Sequence, residues 1–130
     1  MKILMAEDDF TSRKILQIIL SKYGEVDIAV NGSEAIKAVK FALAKHENYD
    51  FICLDIMMPM KSGQETLKEI RQIEKDQGIM DGDGAKVIMT TALDDSSNVI
   101  SAFRSQADGY LVKPISAKAI ENKLRELELI

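Results

Sequence analysis

The chain has 130 residues, the size of one compact domain and too short for two ordinary folded modules. With 21 acidic against 17 basic residues the net charge is −4, which argues against the basic stripe that general nucleic-acid binding needs. One Cys excludes an internal disulfide and one His excludes a multi-histidine metal site, so the chemistry must rest on carboxylates, hydroxyls and lysine.

The first apolar run, Ile3 to Ala6, reads as a buried strand ending in the acids Glu7, Asp8 and Asp9. It is too short for a signal-peptide core, and no run approaches the roughly 18 apolar residues of a membrane span. A cytoplasmic setting is the expectation. Residues 10 to 23 follow with Ile15, Ile18 and Ile19 on one helical face, capped by Asp9 or Thr11. Val26 to Val30 reads as a second strand, ended by the turn pair Asn31-Gly32. Ile36, Val39 and Leu43 then share the face of a second helix.

Phe51 to Asp55 is continuously apolar up to its final acid, the pattern of a parallel strand covered on both faces. Ser62 to Glu65 forms a capping-box pattern ahead of a third helix striped by Leu67, Ile70 and Ile73. An irregular Gly- and Asp-rich stretch, Lys75 to Ala85, leads to a fourth strand at Val87 to Met89. Its Asp81-Gly82-Asp83-Gly84 lacks the ligand spacing of a calcium loop and reads as a turn. Val99, Phe103 and Ala107 stripe an expected fourth helix capped by Asp94 or Asp95. Tyr110 to Val112 is the fifth strand, and Ile120, Leu124 and Leu127 stripe a final helix opened by Ser116. Alternating strands and helices predict an α/β domain over residues 1–130, with a parallel sheet covered by helices on both sides. Periodicity does not give the strand order, and half of a dinucleotide-binding fold would show the same alternation.

Ligands of open parallel sheets bind beyond the carboxyl ends of the strands. Those ends carry Glu7 and Asp8, Asp55, Thr90 and Thr91, and Lys113-Pro114. Carboxylates about 4 Å apart repel by roughly 4 kcal/mol at an effective dielectric near 20, so the cluster must take up protons or hold a cation. An all-oxygen donor set without histidine points to a hard ion, and magnesium fits. A carboxylate beside such an ion is suited to attack phosphorus and become an aspartyl phosphate, with Thr91 and Lys113 placed to bind phosphoryl oxygens.

The segments Ile3 to Asp9, Leu54 to Gly63, Met89 to Ala92 and Gly109 to Pro114 resemble, in order and spacing, the receiver domains of bacterial two-component response regulators. The resemblance implies a flavodoxin-like, doubly wound five-stranded sheet in the order 2-1-3-4-5, the order the receiver fold itself exemplifies. It implies that Asp55 is the phosphoacceptor for a histidine kinase or histidine phosphotransfer protein. Glu7, Asp8, Asp55 and the backbone carbonyl of Met57 are the implied magnesium ligands. Thr91 and Tyr110 are the implied switch pair, Lys113 the phosphate-pairing lysine, and Lys113-Pro114 an implied cis peptide. Glu7 departs from the more common Asp, and the 75–85 stretch is longer than the family usually has. Met57 and Leu93 fill the two variable positions that tune hydrolysis. Both are apolar, which predicts slow self-dephosphorylation.

The family also implies an output surface on the fourth helix, fifth strand and fifth helix, here including Arg104, Tyr110, Lys118 and Lys123. The expectation is a stand-alone, monomeric or weakly dimeric protein-binding switch without its own DNA-binding or membrane module. An aspartate-nucleophile phosphatase would need a second Asp where Met57 stands, and acids after the first strand would repel a flavin phosphate. A phosphorylation-independent interaction domain would have no need of the full set of acids with Thr91 and Lys113. Cys53 reads as a buried apolar residue, His46 as a surface residue, and Met57 to Met60 as loop packing.

Overall fold

Residues 1–92 and 106–130 are described in a computed structural model of the chain. The strands are β1 (Lys2–Ala6), β2 (Glu25–Ala29), β3 (Phe51–Asp55), β4 (Lys86–Thr91) and β5 (Gly109–Val112). The helices among the described residues are α1 (Phe10–Ser21), α2 (Gly32–Ala44), α3 (Gly63–Asp76) and α4 (Ala117–Glu126). The strands form one parallel sheet in the order β2-β1-β3-β4-β5, the flavodoxin-like arrangement expected.

Alternation along the strands builds two cores. Leu4, Ile52, Leu54, Val87 and Met89 face α2 and α3, where Ala35, Val39, Leu67 and Ile70 cover them. Ile3, Met5, Phe51, Cys53 and Ile88 face the other way, onto Leu16 and Leu20 of α1 and Ile120 and Leu124 of α4. β3 lies between them and is buried at every residue, which is why its sequence shows no polar alternation.

The caps are largely those expected. Asp9 accepts from Ser12 N, Ser62 and Glu65 close a capping box, and Ser116 accepts from Ala119 N. Asn31 does more than turn the chain: its side chain caps α2 by accepting from Glu34 N, and Gly32 is the first helical residue. A Cβ on Gly32 would meet the Thr66 hydroxyl, so the turn pair is also a helix–helix contact.

The packed face of α1 differs from the expected one. Leu16 and Leu20 are buried, whereas Ile15 and Ile18 are 51% and 75% exposed and Ile19 is half-buried. Two apolar stripes one residue apart compete for one helix, and only the shape of the sheet beneath chooses between them. The helix α3 also runs two residues further than expected, through Lys75 and Asp76. Of the Met57 to Met60 run only Met58 packs inward, while Met57 and Met60 are exposed. Val99, Phe103, Asp94 and Asp95, on which the expected fourth helix rests, lie outside the described residues. Ala107, assigned to its last turn, stands in the non-helical segment leading into β5 and packs against the first core.

The carboxylate cluster at the strand ends

Four strand ends converge. Glu7 follows β1, its amide continuing the ladder to Ala29 O at 3.2 Å. Asp55 closes β3 opposite Thr90 of β4, and Lys113 follows β5, its amide bonded to Thr91 O at 2.7 Å. Short links leave these side chains nowhere to go but the space above the sheet edge.

Glu7, Asp8 and Asp55 each bring a carboxylate oxygen to within 4.8 Å of the others, the only such metal-competent group among the described residues. Glu7 and Asp55 are buried and Asp8 is exposed, so the cluster has one wet side. Lys113 Nζ bridges the two buried acids, 2.7 Å from Glu7 Oε1 and 3.0 Å from Asp55 Oδ2. Burial pushes the Glu7 carboxyl above the usual range, and its hydrogen bond with Asp55 pushes the same way against the pull of Lys113. Burial alone would lower the Lys113 ammonium, but its bonds to Glu7 and Asp55 prevail and hold it above the ordinary lysine value. An oxygen-only group with a water-facing side suits magnesium, which keeps part of its water shell.

The remaining expected residues are nearby in the fold. Met57 N donates to Asp55 Oδ1 at 3.3 Å, so the segment after β3 folds back over the acid. Gly63 makes that return possible, because a Cβ there would overlap the Asp55 carbonyl oxygen. Thr91 ends β4, is 1% exposed, and donates from its hydroxyl to Ala92 O at 3.3 Å. Tyr110 sits across from Met89 and packs partly against the first core. The Lys113-Pro114 bond is cis. Thr90 faces away from Thr91, lining a small cavity with Glu7, Ser12 and Lys113. Leu93 and Arg104 lie outside the described residues.

One contributor carries no motif signature. Arg13 donates from Nη1 to the carbonyls of Glu7 and Asp8, at 3.1 and 3.2 Å, and pins the acid loop to α1. Its spacing, four residues after the Asp9 cap, was visible but indistinguishable from an ordinary solvated arginine. Cys53 is buried, and desolvation pushes its thiol up to about 12, well away from reactivity at neutral pH. His46 is exposed, at a positive φ of 58° just past α2.

Known proteins resemble this chain in sequence and in fold. A probable transcriptional regulator, ycf27, of Porphyridium aerugineum is 35% identical over 97% of this chain and 47% of its own length. The transcriptional regulatory protein ResD of Bacillus subtilis is 32% identical over the same shares. The chain thus spans about half the length of these curated relatives. The receiver domain of the histidine kinase CKI1 from Arabidopsis thaliana, solved with Mg2+ and BeF3−, superposes with a TM-score of 0.80 at 28% identity, covering 99% of this chain and 90% of that one. Residues 3–125 match the response regulator receiver domain, and the chain belongs to that family.

Proposed function

We propose that this domain is a phosphorylation-driven switch of a two-component phosphorelay, taking a phosphoryl group onto Asp55 from the phosphohistidine of a histidine kinase or phosphotransfer protein. The observation that carries the reading is the contact of one lysine, Lys113, with two buried carboxylates, Glu7 and Asp55, inside a three-carboxylate group. Asp8, exposed beside them, gives the group a side open to water.

Glu7, Asp8, Asp55 and the Met57 carbonyl would hold magnesium, the ion with which the CKI1 receiver was solved. When bound, the ion would supply positive charge against the phosphoryl oxygens. An Asp55 carboxylate oxygen forms the new P–O bond as the P–N bond to the donor imidazole breaks, and that imidazole leaves with its electron pair. Lys113 then exchanges an Asp55 contact for a phosphoryl oxygen, so its charge stays paired throughout. The Thr91 hydroxyl turns from Ala92 O towards the phosphoryl group, and Tyr110 follows into the space released. The changed surface would be that of β5 and α4, with Tyr110, Lys118 and Lys123, together with Arg104. Its partner would be another protein. The domain turns over no substrate of its own beyond gaining and slowly losing the phosphoryl group.

The test is incubation with magnesium and acetyl phosphate followed by intact mass. One phosphoryl adduct, absent in Asp55→Asn and absent with chelator, is the expected result. No adduct, or one that persists in Asp55→Asn, would overturn the reading.

A further inference from the structure

We infer that Met57 is a redox modification site whose oxidation shortens the lifetime of the phosphorylated domain. The inference rests on Asp55 being the phosphoacceptor and adds a regulation to that same site. Of the seven methionines, Met5, Met58 and Met89 are buried, whereas Met57, Met60 and Met80 are 64%, 89% and 72% exposed. Exposed thioethers are the ones a hydroperoxide reaches. Met57 differs from the other two in position: its own amide is bonded to Asp55 Oδ1 at 3.3 Å, so the residue stands on the backbone turn that closes over the carboxylate, with its thioether in water. Met80 lies beyond α3, on the segment that precedes β4 and at the opposite edge of the sheet.

The sulfur lone pair attacks the distal peroxide oxygen, the O–O bond breaks, and water or an alcohol leaves. The thioether is oxidised by two electrons to the sulfoxide and the peroxide is reduced by two. An apolar, flexible side chain thereby gains a strong hydrogen-bond acceptor. Beside an acyl phosphate, an acceptor of that kind holds and orients a water for attack on phosphorus, which a thioether does far more weakly. The neighbouring Met60, with its φ of 66° and nearly full exposure, should be oxidised alongside, but it stands five residues beyond Asp55 rather than two.

The experiment treats the purified protein with dilute hydrogen peroxide, maps the added oxygens by peptide mass, then loads it with acetyl phosphate and magnesium and times adduct loss. Met57→Leu and the double variant Met60→Leu/Met80→Leu are run in parallel, since Leu keeps the volume of Met at exposed positions. The expected result is a lifetime roughly fivefold shorter after oxidation in the wild type and in the double variant, well below the hundredfold or more of a full general base. Peroxide should not move the lifetime of Met57→Leu from that variant's own untreated value, and Met57→Gln should imitate oxidation without peroxide. An unchanged lifetime with Met57 oxidised, or an equal shortening in Met57→Leu, would overturn the inference alone. Failure of the untreated protein to take up phosphoryl would overturn the phosphoacceptor reading and this inference with it.

Discussion

Lys113 Nζ stands 2.7 Å from Glu7 Oε1, closer than it stands to Asp55 at 3.0 Å. The lysine thus occupies, electrostatically, part of the position a divalent cation would take. Glu7 carries one methylene more than an Asp would, which extends the reach of its carboxylate. On the function proposed above, magnesium would compete with the lysine for the same buried charges.

Replacing Lys113 by Met keeps the apolar stem and removes the charge. Magnesium should then bind about tenfold more tightly, a gain of about 1.4 kcal/mol. The metal-free protein should lose about 2 kcal/mol of stability, because Glu7 and Asp55 are left buried without a counter-charge. Calorimetric titration and urea unfolding measure both. Weaker magnesium binding in the variant would contradict the competition.

Gly63→Ala should destabilise the fold by about 2 kcal/mol and slow phosphoryl uptake, because the new Cβ would overlap the Asp55 carbonyl. The strain falls on the strand end that aims the acceptor. Denaturant unfolding and adduct kinetics check it together, and a variant with native stability would show that the backbones part freely.

At the opposite edge, Arg71 is the hub of a polar network. It donates to Glu74 Oε1 and Ala85 O, both at 2.8 Å, to Gln106 O at 3.0 Å, and to Asp108 Oδ2 at 3.1 Å. Glu74, 3% exposed, also accepts from Ala85 N, while Asp108 accepts from Val87 N. Arg71→Ala should cost about 3 kcal/mol, against at most about 0.5 for Lys118→Ala at the exposed Lys118–Glu121 pair. Hydrogen exchange in the variant should rise around residues 85–87 and 106–110. Equal losses from the two substitutions would show that burial gives the Arg71 network no advantage.

Tyr49, 4% exposed, donates from its hydroxyl to Asp27 Oδ2 at 2.6 Å. Burial, then the bond to Asp27, raises its phenol far above the ordinary value. A group raised on folding contributes stability that is complete below its unfolded value of about 10 and is lost as pH climbs towards the folded one. Tyr49→Phe should therefore flatten the alkaline arm of stability against pH and cost about 1–2 kcal/mol near neutrality. Unfolding midpoints across the alkaline range give the answer; parallel curves for the two proteins would refute it.

With reduced Met57 beside Asp55, the adduct should decay slowly, because a thioether offers an incoming water little to hold it. Intact mass followed over time after removal of acetyl phosphate checks this. Decay within seconds would refute it.

Much of this was legible in the sequence. Continuous hydrophobicity in Phe51 to Leu54 marked a doubly covered strand, and the acid, hydroxyl and lysine residues sat at strand ends, where short local segments must place them. Caps such as Ser62 with Glu65 are readable because both partners lie within one turn. Strand order came from resemblance to a family, since periodicity says what each strand is like and not which strand it pairs with. Tertiary structure alone decided the rest. It chose Leu16 and Leu20 over Ile15 and Ile18 as the packed face of α1, because two adjacent stripes of equal hydropathy differ only in what lies beneath them. It joined Arg71 to Asp108, and Lys113 to Glu7, across 37 and 106 residues of chain. It left Met57 in water and Met58 inside. Local sequence fixes conformation through neighbours a few bonds away. Partnerships between distant charges, and the choice of which apolar surface is covered, exist only once the sheet has closed.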